Sequence, residues 1–147
     1  MKTIAHVLKT KGYSIWSISP DAPVFDAIRL MAEKEVGALL VLKDGKPAGV
    51  VSERDYARKV ILKGRSSKET TVREIMTPRV IFATPEQSVG DCMAVMTAKR
   101  VRHLPVLDGD RLMGMVSIGD LVRSVLADQE EVVHGLEAYI LNHGDIA

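Results

Sequence analysis

Two stretches of this chain share a pattern that could do chemistry: Gly49-Val50-Val51-Ser52-Glu53-Arg54-Asp55 and Gly114-Met115-Val116-Ser117-Ile118-Gly119-Asp120. Each reads glycine, two apolar residues, serine, two variable residues, aspartate. A carboxylate so placed can accept both vicinal hydroxyls of a ribose, the use dinucleotide folds make of an acid. A serine at a helix start lies beside free amides and a positive dipole end, a natural neighbour for phosphate. The plainer alternative is mechanical. Serine at the N-cap with an acid three residues on is close to a capping box, and the glycine lets a strand pack closely. One copy would leave the cap in front; two copies in register favour a ligand.

The register extends well beyond the motif. The second half follows the first at a constant offset of 65 residues, with 14 identities over the 41 positions from Ile18 to Arg58 and no gap. Pro20, Val24, Asp26, Met31, Lys34 and Val36 recur as Pro85, Val89, Asp91, Met96, Lys99 and Val101. Two copies of one supersecondary unit follow, each too small to bury its own apolar face.

The elements that must position the motifs read alike in both copies. Ile15–Ile18 and Ile81–Ala83 suit a leading strand. Pro20-Asp21-Ala22-Pro23 and Thr84-Pro85-Glu86-Gln87-Ser88 suit a helix start. Val24, Ile28, Met31 and Ala32 share one helical face, and Val89, Met93, Met96 and Thr97 share its counterpart. The runs Ala38–Leu42 and Leu104–Leu107 have the length of strands buried on both faces. Asp44-Gly45 and Asp108-Gly109 are hairpin signals. Ala48–Val51 and Leu112–Val116 return, and the serine-aspartate pairs open a second helix. The order is β-α-β-β-α, twice, an α+β (mixed α/β) chain.

Two segments fall outside the repeat. Lys63 to Thr71 is basic and rich in hydroxyls, and reads as a connector; Thr71 caps a short turn through Ile75 that ends at Thr77-Pro78. Past the second unit an apolar stripe of Leu121, Val125, Val132, Leu136 and Tyr139 or Ile140 continues the last helix to about Leu141. The division is then 8–62 for unit one, 63–75 for the connector, 76–126 for unit two and 127–147 for a helical tail. The repeat has no use for the tail stripe, so a partner subunit is the expected neighbour.

Composition narrows the classes. With 147 residues, 46% apolar and 27% charged, the chain can bury a core without staples. A net charge of +1 and 4% aromatics speak against broad nucleic-acid capture or base-stacking platforms. The single cysteine, Cys92, excludes an intrachain disulfide and fits a reducing compartment; it is read as a buried, inert thiol. Met1–Tyr13 has no apolar signal-peptide core, and the run Val36–Leu42 is far short of the ~20 residues of a membrane span. A cytoplasmic location is expected. His6, His103, His134 and His143 have no ligand spacing, so no metal is expected. A phosphotransferase or nucleotide hydrolase using Asp55 or Asp120 would lack a Gly-x-x-x-x-Gly-Lys loop, a base and a metal cluster. A non-enzymatic role is expected.

The duplicated pattern resembles a tandem pair of cystathionine-beta-synthase (CBS) domains, the adenine-nucleotide-binding module, in its stand-alone bacterial form. The carriers are Val36-Gly37-Ala38-Leu39-Leu40-Val41 with Gly49–Asp55, Val101-Arg102-His103-Leu104-Pro105-Val106 with Gly114–Asp120, and Met76-Thr77-Pro78. The resemblance spans about Leu8 to Leu126. It implies two units packed about a pseudo-twofold axis, with two clefts between them. One cleft would join Ser117, Gly119 and Asp120 to Trp16, Val36, Gly37 and Ala38, with Lys11 nearby. The other would join Ser52, Arg54 and Asp55 to Thr77, Ile81, Val101, Arg102 and His103. The implied ligands are AMP, ADP, ATP or NAD(H), with no required cofactor; S-adenosylmethionine or a nucleic acid is a weaker reading. The implied role is regulatory, in a homodimer that passes occupancy to an effector protein in trans. The alternative is a dimerisation module whose Ser-x-x-Asp motifs are only caps.

Departures between the copies matter. Gly37-Ala38 faces Arg102-His103 across the repeat, and Leu40 faces Pro105. The cleft with Arg54, Arg102 and His103 is expected to hold the more anionic ligand, or the same ligand more tightly. Arg65, Ser66, Ser67 and Lys68 of the connector are further candidates for phosphate contact. Trp16 is read as core packing rather than a stacking plate.

Overall fold

The computed structural model describes residues 2–143. Each half carries one β-hairpin. In the first half, β2 (Ala38–Lys43) and β3 (Lys46–Ser52) pair antiparallel, and the short β1 (Ser17–Ile18) runs parallel to β2. In the second, β4 (His103–Asp108) and β5 (Arg111–Ser117) pair in the same register, His103 opposite Ser117 as Ala38 is opposite Ser52. The second hairpin turns on Gly109 and Asp110, one residue later than the Asp108-Gly109 signal suggests, which keeps the offset of 65.

The leading strand of the second half is a correction. Ile81–Ala83 forms a single parallel bridge, Ala83 to Val106, and not a strand. In the first half the Leu40 N–H donates to Trp16 O at 3.1 Å. Its counterpart is Pro105, which has no N–H to give, so the ladder stops after the bonds that Ala83 makes to Pro105 O and receives from Leu107 N–H.

Helices α2 (Val24–Lys34) and α5 (Val89–Lys99) cover the hairpins and bury Val24, Ala27 and Met31, and Val89, Cys92 and Met96. Each ends in a residue of left-handed conformation that is not glycine, Glu35 (φ 55°) and Arg100 (φ 56°). Burial raises the Cys92 thiol above its ordinary value, aided by neighbouring Asp91, as the inert reading requires. After β3 the chain forms α3 (Glu53–Tyr56) and then a wide π-type turn, Ala57–Ile61. After β5 it forms one long helix, α6 (Ile118–His143). Of the expected tail stripe, Leu121 is buried and Leu136 and Ile140 are exposed; the side chains of Val132, Tyr139 and Leu141 lie outside the described residues.

The two cores are built by exchange. A helix not expected from the sequence, α1 (Ile4–Lys11), precedes the first unit but buries Ile4, Val7 and Leu8 in the core of the second. Helix α4 (Val72–Ile75) precedes the second unit but buries Val72 and Ile75 in the core of the first. Both dock on the proline loop of the opposite unit: Ala5 N–H to Pro85 O at 3.0 Å, Arg73 N–H to Pro20 O at 2.9 Å. Thr3 and Thr71 complete capping boxes at their starts. The motif glycines admit this exchange. A Cβ on Gly49 would stand 2.6 Å from Thr77 O, and one on Gly114 would stand 2.9 Å from a Leu8 methyl.

Candidate functional site

Both Ser-x-x-Asp motifs form the hydrogen bonds of a cap. Asp55 N–H donates to Ser52 Oγ at 3.2 Å, and Ser52 N–H donates back to Asp55 Oδ2 at 2.9 Å. Asp120 N–H and Ser117 Oγ lie 3.1 Å apart, and Ser117 N–H donates to Asp120 Oδ2 at 2.7 Å. Each carboxylate also faces a cavity where the two halves meet, because the serine ends a strand at the junction.

The first cavity, about 600 Å³, is lined by Ser52, Arg54 and Asp55 from one half and by Thr77, Ile81, Val101, Arg102 and His103 from the other. The fold brings all eight together. The second, about 460 Å³, joins Ser117 and Asp120 to Trp16, Val36, Gly37, Ala38 and Lys11. Gly119 is not on its wall; it lies against Arg123 and Ser117 Oγ. Trp16 is not core: it is 36% exposed, lines this cavity, and carries Lys34 Nζ over its ring at 4.4 Å. Gly37 and His103 line both cavities and form the wall between them.

The connector candidates lie away from the two cavities. None of Arg65, Ser66, Ser67 and Lys68 lines either cavity. Arg65 pairs with Glu74, which lies below its ordinary carboxylate value through the Thr71 backbone N–H and the Arg65 guanidinium. The Ser66 carbonyl accepts from Thr70, the Ser67 carbonyl accepts the Phe25 N–H at 2.9 Å, and Lys68 sits 5.1 Å over the Phe25 ring. Ser67 and Lys68 thus fasten the connector to the start of α2, and Arg65 fastens it to α4.

Electrostatics separate the cavities. Asp120 is 7% exposed, and both its oxygens are engaged by cations: Oδ2 by Lys11 at 2.6 Å and Oδ1 by Arg123 at 2.6 Å. Lys11 also donates to Met115 O at 2.6 Å. Burial pushes the Asp120 carboxyl up, but Lys11 and the Ser117 N–H outweigh it, so the group lies below its ordinary value. Asp55 has one cation, Lys59, at 3.3 Å. Burial of His103 pushes its imidazole down, as do Lys11 and Arg102, against the opposite pull of Asp120 and Asp55. Sequence reasoning missed Arg58, Lys59, Arg79 and Arg100 on the first cavity and Ser14, Glu35, Met115 and Arg123 on the second.

Comparison with known proteins identifies the family and the fold. The family profile described as the CBS domain matches twice, at residues 8–62 and 72–127. A solved structure of a protein with CBS domains from Burkholderia ambifaria is 56% identical, covers 87% of this chain and 96% of that one, and superposes with a TM-score of 0.83. The mitochondrial CBS domain-containing protein CBSX3 of Arabidopsis thaliana is 45% identical over 94% of this chain and 71% of its own. The CBS domain pair of protein MJ0100, solved with 5′-methylthioadenosine and S-adenosyl-L-methionine, shares the fold at 21% identity, covering 87% of this chain and 98% of that one with a TM-score of 0.76.

Proposed function

This chain belongs to the CBS domain family, and from that premise we propose a non-enzymatic regulatory module that binds adenosine-containing nucleotides, AMP, ADP, ATP or NAD(H), in its two clefts. The observation that carries this reading is the twofold one. Each cleft joins the Ser-x-x-Asp pair of one half to the central strand and its leading segment from the other half. Asp55 and Asp120 would accept the ribose hydroxyls, with Ser52 and Ser117 beside them. Apolar side chains at Val36 and Ala38, and at Ile81 and Val101, would hold adenine. The fold neighbour carrying two adenosine compounds supports a ligand of this class.

A ligand spanning both halves can change how they pack, and that gives a route to an effector in trans. Among the described residues no helix is long and apolar enough to cross a membrane. We propose further that the chain pairs into a homodimer through α6. Leu126, Val133, Leu136 and Ile140 are exposed along it at coiled-coil spacing. The same stripe, with the completed cap hydrogen bonds, favours the second reading of a dimerisation module without ligand.

Thermal unfolding against AMP, ADP, ATP, NAD+, NADH and S-adenosylmethionine tests these. A ligand at 100 times its Kd adds ~2.7 kcal/mol, a rise of roughly 5–10 °C at this size. Asp55→Ala and Asp120→Ala are each expected to lose one site. No shift across the panel, on protein shown free of bound nucleotide, would leave the dimerisation module.

A further inference from the structure

The repeat contains its own control for charge. The first cavity is lined by Arg54, Arg58, Lys59, Arg79, Arg100 and Arg102, against Glu53 and Asp55. At the six positions related by the offset of 65, the other half has Gly119, Arg123, Ser124, Ser14, Glu35 and Gly37. One cation of six survives, so the fold does not require the rest. The second cavity balances Lys11 and Arg123 against Glu35 and Asp120. In a chain of net charge +1, six cations against two acids converge on one cavity. Among the described residues its five arginines form no ion pair.

Arg100 shows the divergence at a single position. Its backbone is left-handed, φ 56°, where glycine is the cheaper residue. Glu35, its counterpart at the offset of 65, has the same conformation (φ 55°), so the turn belongs to the repeat and only the arginine on this cavity wall is particular to the second half. Arginine's planar fork binds phosphate oxygens two at a time, and several in one recess match a chain of phosphates rather than a single one.

We propose that the cavity at Asp55 reads the length of a phosphate chain. It takes a nucleoside carrying three or more phosphates in preference to the monophosphate, through Arg58, Arg79 and Arg100, while the cavity at Asp120 takes a ligand of little net charge. The nucleoside part rests on the proposed function; the phosphate part rests on the arginines alone.

The test is isothermal titration of the full chain, without magnesium, using adenosine, AMP, ADP, ATP and inorganic triphosphate. One site is expected to tighten about tenfold with each added phosphate, ~1.4 kcal/mol per step, and the other to stay level. Inorganic triphosphate is expected to bind the first site alone, more weakly at high salt. Arg79→Gln with Arg100→Gly is expected to bring ATP within about threefold of AMP. The glycine suits its left-handed position, so that variant is expected to fold at least as well. AMP and ATP binding within threefold in the wild type would overturn this inference and leave the nucleotide module standing. Inorganic triphosphate binding without any nucleoside would uphold the phosphate site and overturn the proposed function. No binding by any probe would overturn both.

Discussion

The two clefts are made from one pattern and differ in how their aspartates are held. Asp120 is locked between Lys11 and Arg123, in a cavity whose charges cancel. Asp55 has Lys59 at a longer distance and lies among arginines with no carboxylate partner of their own among the described residues. Duplication therefore conserved the mechanical parts, cap, glycine and hairpin register, and let the wall charges diverge. What the halves share tells what the fold needs, and where they differ tells what each cleft selects.

The largest effect expected is on the exchanged helix. Leu8→Ala removes a fully buried side chain and is expected to cost about 2–5 kcal/mol by urea unfolding. The loss of amide-exchange protection should fall on β4 and β5; loss centred on β2 and β3 instead would break the exchange described here. Next is the pair of glycines. Gly49→Ala drives a methyl into a backbone carbonyl and Gly114→Ala drives one into a side-chain end, so the first is expected to cost more, within about 1–3 kcal/mol of overpacking. Equal losses would mean that Leu8 yields no more easily than Thr77.

The aspartates come third. Asp120→Asn removes the counter-charge of both Lys11 and Arg123, whereas Asp55→Asn removes that of Lys59 alone; each also turns one cap-accepting oxygen into a donor. The first is expected to destabilise the ligand-free protein more, by about 1–3 kcal/mol. The smallest effects come with pH. The depressed Asp120 contributes stability above the unfolded carboxyl value near 4, lost as pH falls through its folded value. His103 is also depressed, so its neutral form is the folded one. Below about pH 6.5 the unfolded chain takes up a proton that the folded one resists, and stability falls. His103→Gln is expected to flatten the decline in Tm between pH 7 and 5; an unchanged slope would place its cause outside the shared wall.

The motif residues were legible because a fixed offset placed chemistry and mechanics in the same columns twice. The eight residues expected at the Asp55 cavity meet there. What escaped did so for identifiable reasons. Arg79 and Arg100 come from a loop and a helix end, where an arginine alone is ordinary surface. Only the fold shows that both face Asp55. Helix α1 escaped because its match to α4, Thr3-Ile4 and Val7-Leu8 against Thr71-Val72 and Ile75-Met76, runs at an offset of 68 rather than 65. The connector residues were named from composition, which carries no position, and in the fold they lie off both cavity walls. The missing second leading strand was written in Pro105, whose lost N–H has an effect only once Leu40 is seen to use its own.

The exchange of α1 also sets an order of events during synthesis. Ile4, Val7 and Leu8 leave the ribosome well ahead of their partners, which run from Ala83 to Leu121. At ~5–20 residues per second, this apolar segment waits roughly 6–23 s before its core exists. The first half, which closes on α4 at residue 75, completes its own core before that. The nascent chain therefore carries a finished half with a loose apolar leader, and the last helix to be made is what retires it.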